Sequence, residues 1–105
     1  MKTPDLIILA VSLFVASHAL AGDGEALAKK SNCMICHTVD GKSTGPTFKD
    51  VAAKYRNDKD AQVTLEKKVR SGGKGVWSSM PMPATTQSTS DGDIKSMVQW
   101  ILSFK

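Results

Sequence analysis

The chain has 105 residues, 14 Lys and Arg against 10 Asp and Glu, a net charge of +4 and two cysteines. That length holds at most one domain. The basic residues are scattered with no aromatic-interleaved stripe among them, so nucleic-acid binding gets no support.

Taken from the front, Lys2 opens a short basic region and Leu6 to Val15 is an almost unbroken apolar run. Ala19-Leu20-Ala21 follows as a small-x-small cleavage site. The run is shorter than the about 20 apolar residues of a spanning helix. Residues 1–21 therefore read as a secretory signal cut after Ala21, and Gly22 to Lys105 as the working domain in the periplasm. The competing reading is an uncleaved anchor, because Asp5 offsets Lys2. Cleavage leaves the charge at +4 and excludes stable membrane insertion. So short a domain buries too little apolar surface to be comfortably stable alone. Small exported domains usually make up the deficit with disulfides or a bound metal group.

The first predicted helix runs from about Asp23, read as its N-cap, to Ser31, with Glu25 in its first turn. It leads into Cys33-Met34-Ile35-Cys36-His37, a C-x-x-C-H signature of covalent haem attachment. On one helical turn positions i, i+3 and i+4 share a face. Cys33, Cys36 and His37 can thus meet one porphyrin, two sulfurs bonding its periphery and the imidazole facing its iron. A large apolar cofactor would also supply the core that the domain lacks.

A second helix is expected where Phe48, Val51, Ala52 and Tyr55 fall on one face, opened by Pro46 and the capping pair Thr47-x-x-Asp50. The third, about Ala61 to Arg70, carries Ala61, Leu65 and Val69, and Gly72-Gly73 stops it. The fourth places Ile94, Met97, Val98, Ile101 and Leu102 on one stripe, capped by Ser90-x-x-Asp93. Between these two, Gly72 to Thr89 is a long loop rich in Gly, Pro, Ser and Thr, and such loops are usually functional or disordered.

That loop is the place to seek a second iron ligand. After cleavage His37 is the sole histidine, so bis-histidine ligation within the chain is excluded, and methionine is the usual alternative. Met34 is tied to the His37 side, and Met97 reads as core. Met80 and Met82 remain. Pro81 and Pro83 restrict the backbone on both sides of Met82, favouring it over Met80.

These runs, together with Gly45-Pro46-Thr47-Phe48-Lys49-Asp50-Val51-Ala52-Ala53-Lys54-Tyr55 and Gly75-Val76-Trp77, resemble the small bacterial class I cytochromes c, nearest the cytochrome c-551 type. The resemblance spans essentially all of Gly22 to Lys105. It implies an all-α, four-helix fold around one covalently attached haem c, with His37 and Met82 as axial ligands. It further implies that the Pro46 carbonyl accepts a hydrogen bond from the ligand imidazole, and that the Trp77 indole donates to a haem propionate. Trp77 as a plain apolar lid is an equal reading. Two positions depart from the family: Lys68 stands near a propionate where arginine is frequent, and Thr85 stands where an asparagine often steadies the Met loop.

The implied function is that of an electron carrier, a monomer passing one electron between redox proteins. A membrane cytochrome complex suits the donor, and a terminal oxidase, nitrite reductase or peroxidase the acceptor. Lys29, Lys30, Lys42, Lys49, Lys67 and Lys74 are candidates for a docking ring. Other classes remain in view: a haem sensor or peroxidase-like protein with a labile sixth ligand, and a thiol or zinc module on Cys33 and Cys36. The last lacks a βαβ pattern and, with His37, offers three ligands where structural zinc wants four.

Overall fold

The computed structural model describes residues 19–105. Most of the expected export segment lies outside them. Among the described residues there are four α-helices, α1 (Ala19–Lys30), α2 (Phe48–Lys54), α3 (Ala61–Ser71) and α4 (Asp91–Leu102), and no strand. No helix among them is long and apolar enough to cross a membrane.

The organising element is α4, onto which α1, α2 and α3 all pack. Its apolar stripe explains this: Ile94, Met97 and Val98 are almost completely buried, and Ile101 and Leu102 pack against the same core. Met97 is thus a core residue, as its position on the stripe predicts. Trp100 is buried too, edge-on to Phe48 and to Phe104 with ring centroids 5.1 Å apart in each case. This aromatic run joins α2 to the end of the chain through α4.

Two of the three predicted N-caps form. The Thr47 hydroxyl accepts from the Asp50 amide and the Ser90 hydroxyl from the Asp93 amide, each at 3.1 Å. Each satisfies an amide that the first helical turn would otherwise leave unpaired. Gly72 caps α3 with a positive φ of 66°, as expected of a stop glycine.

α1 differs from expectation. It begins at Ala19, so Asp23 lies inside the helix and is not its N-cap. Ala19-Leu20-Ala21 are good helix formers and carry the helix upstream across Gly22. At the other end Asn32 adopts the left-handed conformation with φ 64°, a geometry asparagine tolerates, and terminates the helix one residue before the predicted boundary. Gly24 has a further role that its sequence context did not suggest. A Cβ there would run into Trp100 and lie 2.6 Å from the Ser96 carbonyl oxygen, so glycine permits the close crossing of α1 and α4.

Candidate functional site

Cys33 to Ile35 form a single 3-10 turn, not a turn of α-helix. The shared face survives, because the His37 amide still donates to the Cys33 carbonyl at 2.9 Å, an α-type spacing, while Cys36 closes the shorter ring at 3.3 Å. No disulfide joins the two cysteines. Burial pushes the Cys33 thiol above its ordinary pKa, the opposite of the activation that a thiol-exchange centre needs. Among the described residues no three His, Cys, Asp or Glu side chains are gathered to hold a metal ion, which leaves the zinc reading without a cage.

The segment after the motif folds back tightly over it. The Gly45 amide donates to the Cys36 carbonyl at 2.6 Å and the Ser43 hydroxyl to the same oxygen at 2.8 Å. The Phe48 amide reaches Thr38 at 2.8 Å. This brings the Pro46 carbonyl to 2.7 Å from His37 Nδ1. A carbonyl only accepts, so Nδ1 carries the proton and Nε2 is left with a free lone pair for a metal. Phe48 stacks on the imidazole with centroids 5.3 Å apart and planes inclined by 19°. Behind the ring, a Cβ on Gly45 would lie 2.8 Å from His37 Cε1. The ring is held by a hydrogen bond, a stack and a close backbone.

The long loop is more ordered than its composition suggests. Gly73 and Met82 pair as an isolated antiparallel bridge: Gly73 donates to the Met82 carbonyl at 2.9 Å, and Met82 donates back at 2.8 Å. Thr85 donates its amide to the carbonyls of Val69 and Arg70, each at 3.2 Å. Met82 is therefore fixed by its own backbone and packs against the core, whereas Met80 is 60% exposed. The bridge was invisible in the sequence, because glycine and a proline-flanked methionine carry no strand signal.

Cys33, Cys36, His37, Pro46, Lys68, Trp77 and Met82, the seven residues that the sequence assigns to the haem site, line one cavity of about 530 Å³. Its size is in the range of cofactor sites. Met80, Val63 and Val76 line it as well, and are about half exposed or more. Large apolar side chains left open around a cavity fit a flat apolar group that would cover them. The donor set fits the same group: an imidazole nitrogen, a thioether and two thiols. Lys54 Nζ stands 5.6 Å from the Trp77 ring centroid and 5.8 Å from that of Tyr55, a cation between two aromatic faces beside the cavity.

Of the six lysines expected to ring the site, Lys67 and Lys74 reach its wall and the other four do not. Lys29 and Lys49 are instead engaged with Glu25 and Asp40, each at 3.3 Å.

The cytochrome c family model matches residues 21–105. The chain belongs to the cytochrome c family. Cytochrome c-552 of Nitrosomonas europaea is 46% identical over the whole of both chains. Cytochrome c-551 of Pseudomonas aeruginosa is 38% identical, covering 95% of this chain and 94% of that one. The crystal structure of the wild-type Nitrosomonas europaea protein superposes with a TM-score of 0.73, spanning 77% of this chain and 99% of the other. The all-α class I fold expected from the sequence is thereby shown, nearest the c-551 type. Membership also makes this cytochrome an electron carrier with a covalently bound haem c.

Proposed function

We propose that Cys33 and Cys36 carry the two thioether bonds to the haem, that His37 and Met82 are the axial ligands, and that the domain works in the periplasm after a signal is cut following Ala21. The observation that carries this reading is the convergence of His37 and Met82, from segments far apart in the chain, on the wall that also holds both cysteines.

The bound haem supplies an iron that gains and loses one electron. The protein's own residues do the rest. Pro46 fixes the imidazole tautomer through Nδ1 and raises the basicity of Nε2. Phe48 and Gly45 stop the ring from turning. The Gly73 bridge holds the Met82 backbone, so that its thioether is presented at little ordering cost. Two protein donors leave no open position for a substrate, which suits electron transfer and disfavours bond-making chemistry. Iron held by His37 and Met82 would have its reduction potential raised by the thioether. Lys68, near the end of α3, and Trp77 both line the cavity, which supports Lys68 as a partner of one propionate and the Trp77 indole N–H as a donor to another. Lys67 and Lys74 give acidic redox partners a place to dock. A membrane cytochrome complex is the proposed donor, and a terminal oxidase, nitrite reductase or peroxidase the proposed acceptor.

Two measurements test the proposal together. Mass spectrometry of the exported protein should show a chain beginning at Gly22, one haem heavier, with no thiol left to titrate. The reduced protein should bind carbon monoxide slowly, because Met82 must leave first. Free thiols would overturn the attachment. Rapid carbon monoxide binding would overturn Met82 ligation and favour the sensor or peroxidase-like reading.

A further inference from the structure

Arg70, near the end of α3, was not singled out by any motif, yet its guanidinium gathers the return limb of the Met82 loop. One terminal nitrogen donates to the Thr85 carbonyl at 3.2 Å and to the Thr86 carbonyl at 2.9 Å. The other donates to the Thr89 carbonyl at 2.8 Å and to Asp91 Oδ1 at 2.6 Å. The side chain is only 20% exposed, with the bonds to Thr85 and Thr89 half-buried and those to Thr86 and Asp91 at the surface. A planar guanidinium can serve four acceptors in this way where an ammonium cannot.

The position of these bonds gives them their meaning. Met82 is held on one side by Gly73, and its next anchor along the chain is Thr85, whose amide bonds to α3 and whose carbonyl bonds to Arg70. Among the described residues the Thr85 hydroxyl makes no hydrogen bond, so the side chain standing where the family often has a loop-steadying asparagine does not do that work. Asp91 is the first residue of α4, so the same guanidinium joins the last turn of α3 to the first turn of the helix on which the fold packs. Thr86 and Asp91 are exposed and Thr85 and Thr89 half-buried, so water can take Arg70's place without leaving buried polar groups unpaired. Its loss should loosen the loop and spare the core.

We infer that Arg70 is a positioning residue for the sixth ligand: its fork holds the segment from Thr85 to Asp91 and so sets how readily Met82 leaves the iron. The inference rests on Met82 being that ligand. It goes beyond that assignment by giving control of the ligand's release to a residue that does not line the cavity.

The test compares wild type, Arg70→Gln and Arg70→Lys as holoproteins, by carbon monoxide association to the reduced form and by amide hydrogen exchange. The weak far-red ferric band of iron–methionine sulfur must first be present in wild type. Its absence there overturns the ligand assignment itself, and with it the basis of this inference. With the band present, Arg70→Gln should bind carbon monoxide about ten-fold faster. The Met82 and Thr85 amides should exchange at least as much faster, while the amides of α4 from Ile94 to Ile101 stay unchanged. Arg70→Lys should recover only part of the difference. The inference is overturned if carbon monoxide association is unchanged in Arg70→Gln. It is equally overturned if α4 amides accelerate as much as those of the loop, because Arg70 would then be a general stabiliser only.

Discussion

The two ends of the cavity are built in different ways. On the histidine side, Cys33 to Phe48 wraps onto itself with short local hydrogen bonds, and His37 is fixed by a carbonyl, a stacked ring and a glycine backbone. On the methionine side, the chain from Gly72 to Ser90 is braced within itself by the Gly73–Met82 bridge and is tied to α3 chiefly through the Thr85 amide and the Arg70 guanidinium. Its tip leaves Val76, Trp77 and Met80 open. One proposed ligand is thus held by a prefabricated nest and the other by a loop pinned near its ends. Loss or exchange of a ligand should begin on the methionine side, where each pin removed costs less and frees more.

The largest expected effect breaks that side at its base. Gly72 sits at φ 66° and ψ −155°, a region essentially confined to glycine, and a Cβ there would strike the Met82 carbonyl oxygen. Gly72→Ala should lower stability by about 3 kcal/mol from backbone strain alone, and more from the clash. It should also abolish the far-red band of the ferric protein. Gly41, at φ 88° but with open space around it, is the matched control. Gly41→Ala should cost about 1 kcal/mol and leave the spectrum alone. Denaturant titration followed by tryptophan fluorescence reads the stability of both.

Phe48→Ala tests the other side. Phe48 is 2% exposed and touches both His37 and Trp100, so its loss should cost about 3–5 kcal/mol. If the histidine nest is as self-contained as its hydrogen bonds indicate, the variant should keep its haem and its axial methionine under native conditions. Loss of the far-red band before unfolding would show instead that the two sides depend on one another.

The smallest effect concerns the outer surface. Lys67→Glu and Lys74→Glu should each slow electron exchange with an acidic partner several-fold at low salt, and Lys30→Glu and Lys42→Glu much less. Raising ionic strength should shrink the difference, since exposed charges are screened within about 10 Å at 0.1 M salt. Stopped-flow exchange over a salt series reads this, and equal effects at all four positions would remove the docking role of the cavity-wall lysines.

The histidine side was the more legible in the sequence, for a physical reason. Its information is local: Cys33, Cys36 and His37 are spaced by one turn, and Thr47-x-x-Asp50 announces the helix that places Phe48 beneath the imidazole. The stripe of α4 was equally readable, because five apolar residues at helical spacing admit one interpretation. The methionine side is specified across sequence distance. Pro81-Met82-Pro83 marked the ligand candidate, but nothing near it announced Gly73 as its partner or Arg70 as the anchor of the limb beyond. Such contacts form between backbone groups or with carbonyls, which every residue has, and leave little trace in residue type. Gly24 was missed for a similar reason, since its role is to leave room for Trp100. The start of α1 lies upstream of Asp23 because Ala19-Leu20-Ala21 favour helix more than Asp23 favours a cap.

The central claim is that His37 and Met82 hold one iron between them. It is tested most directly by the far-red band of the ferric protein in wild type, Met82→Ala and Met80→Ala. The account predicts the band in wild type and in Met80→Ala, and its disappearance in Met82→Ala alone. A band that survives Met82→Ala, or that is lost in Met80→Ala, would contradict it.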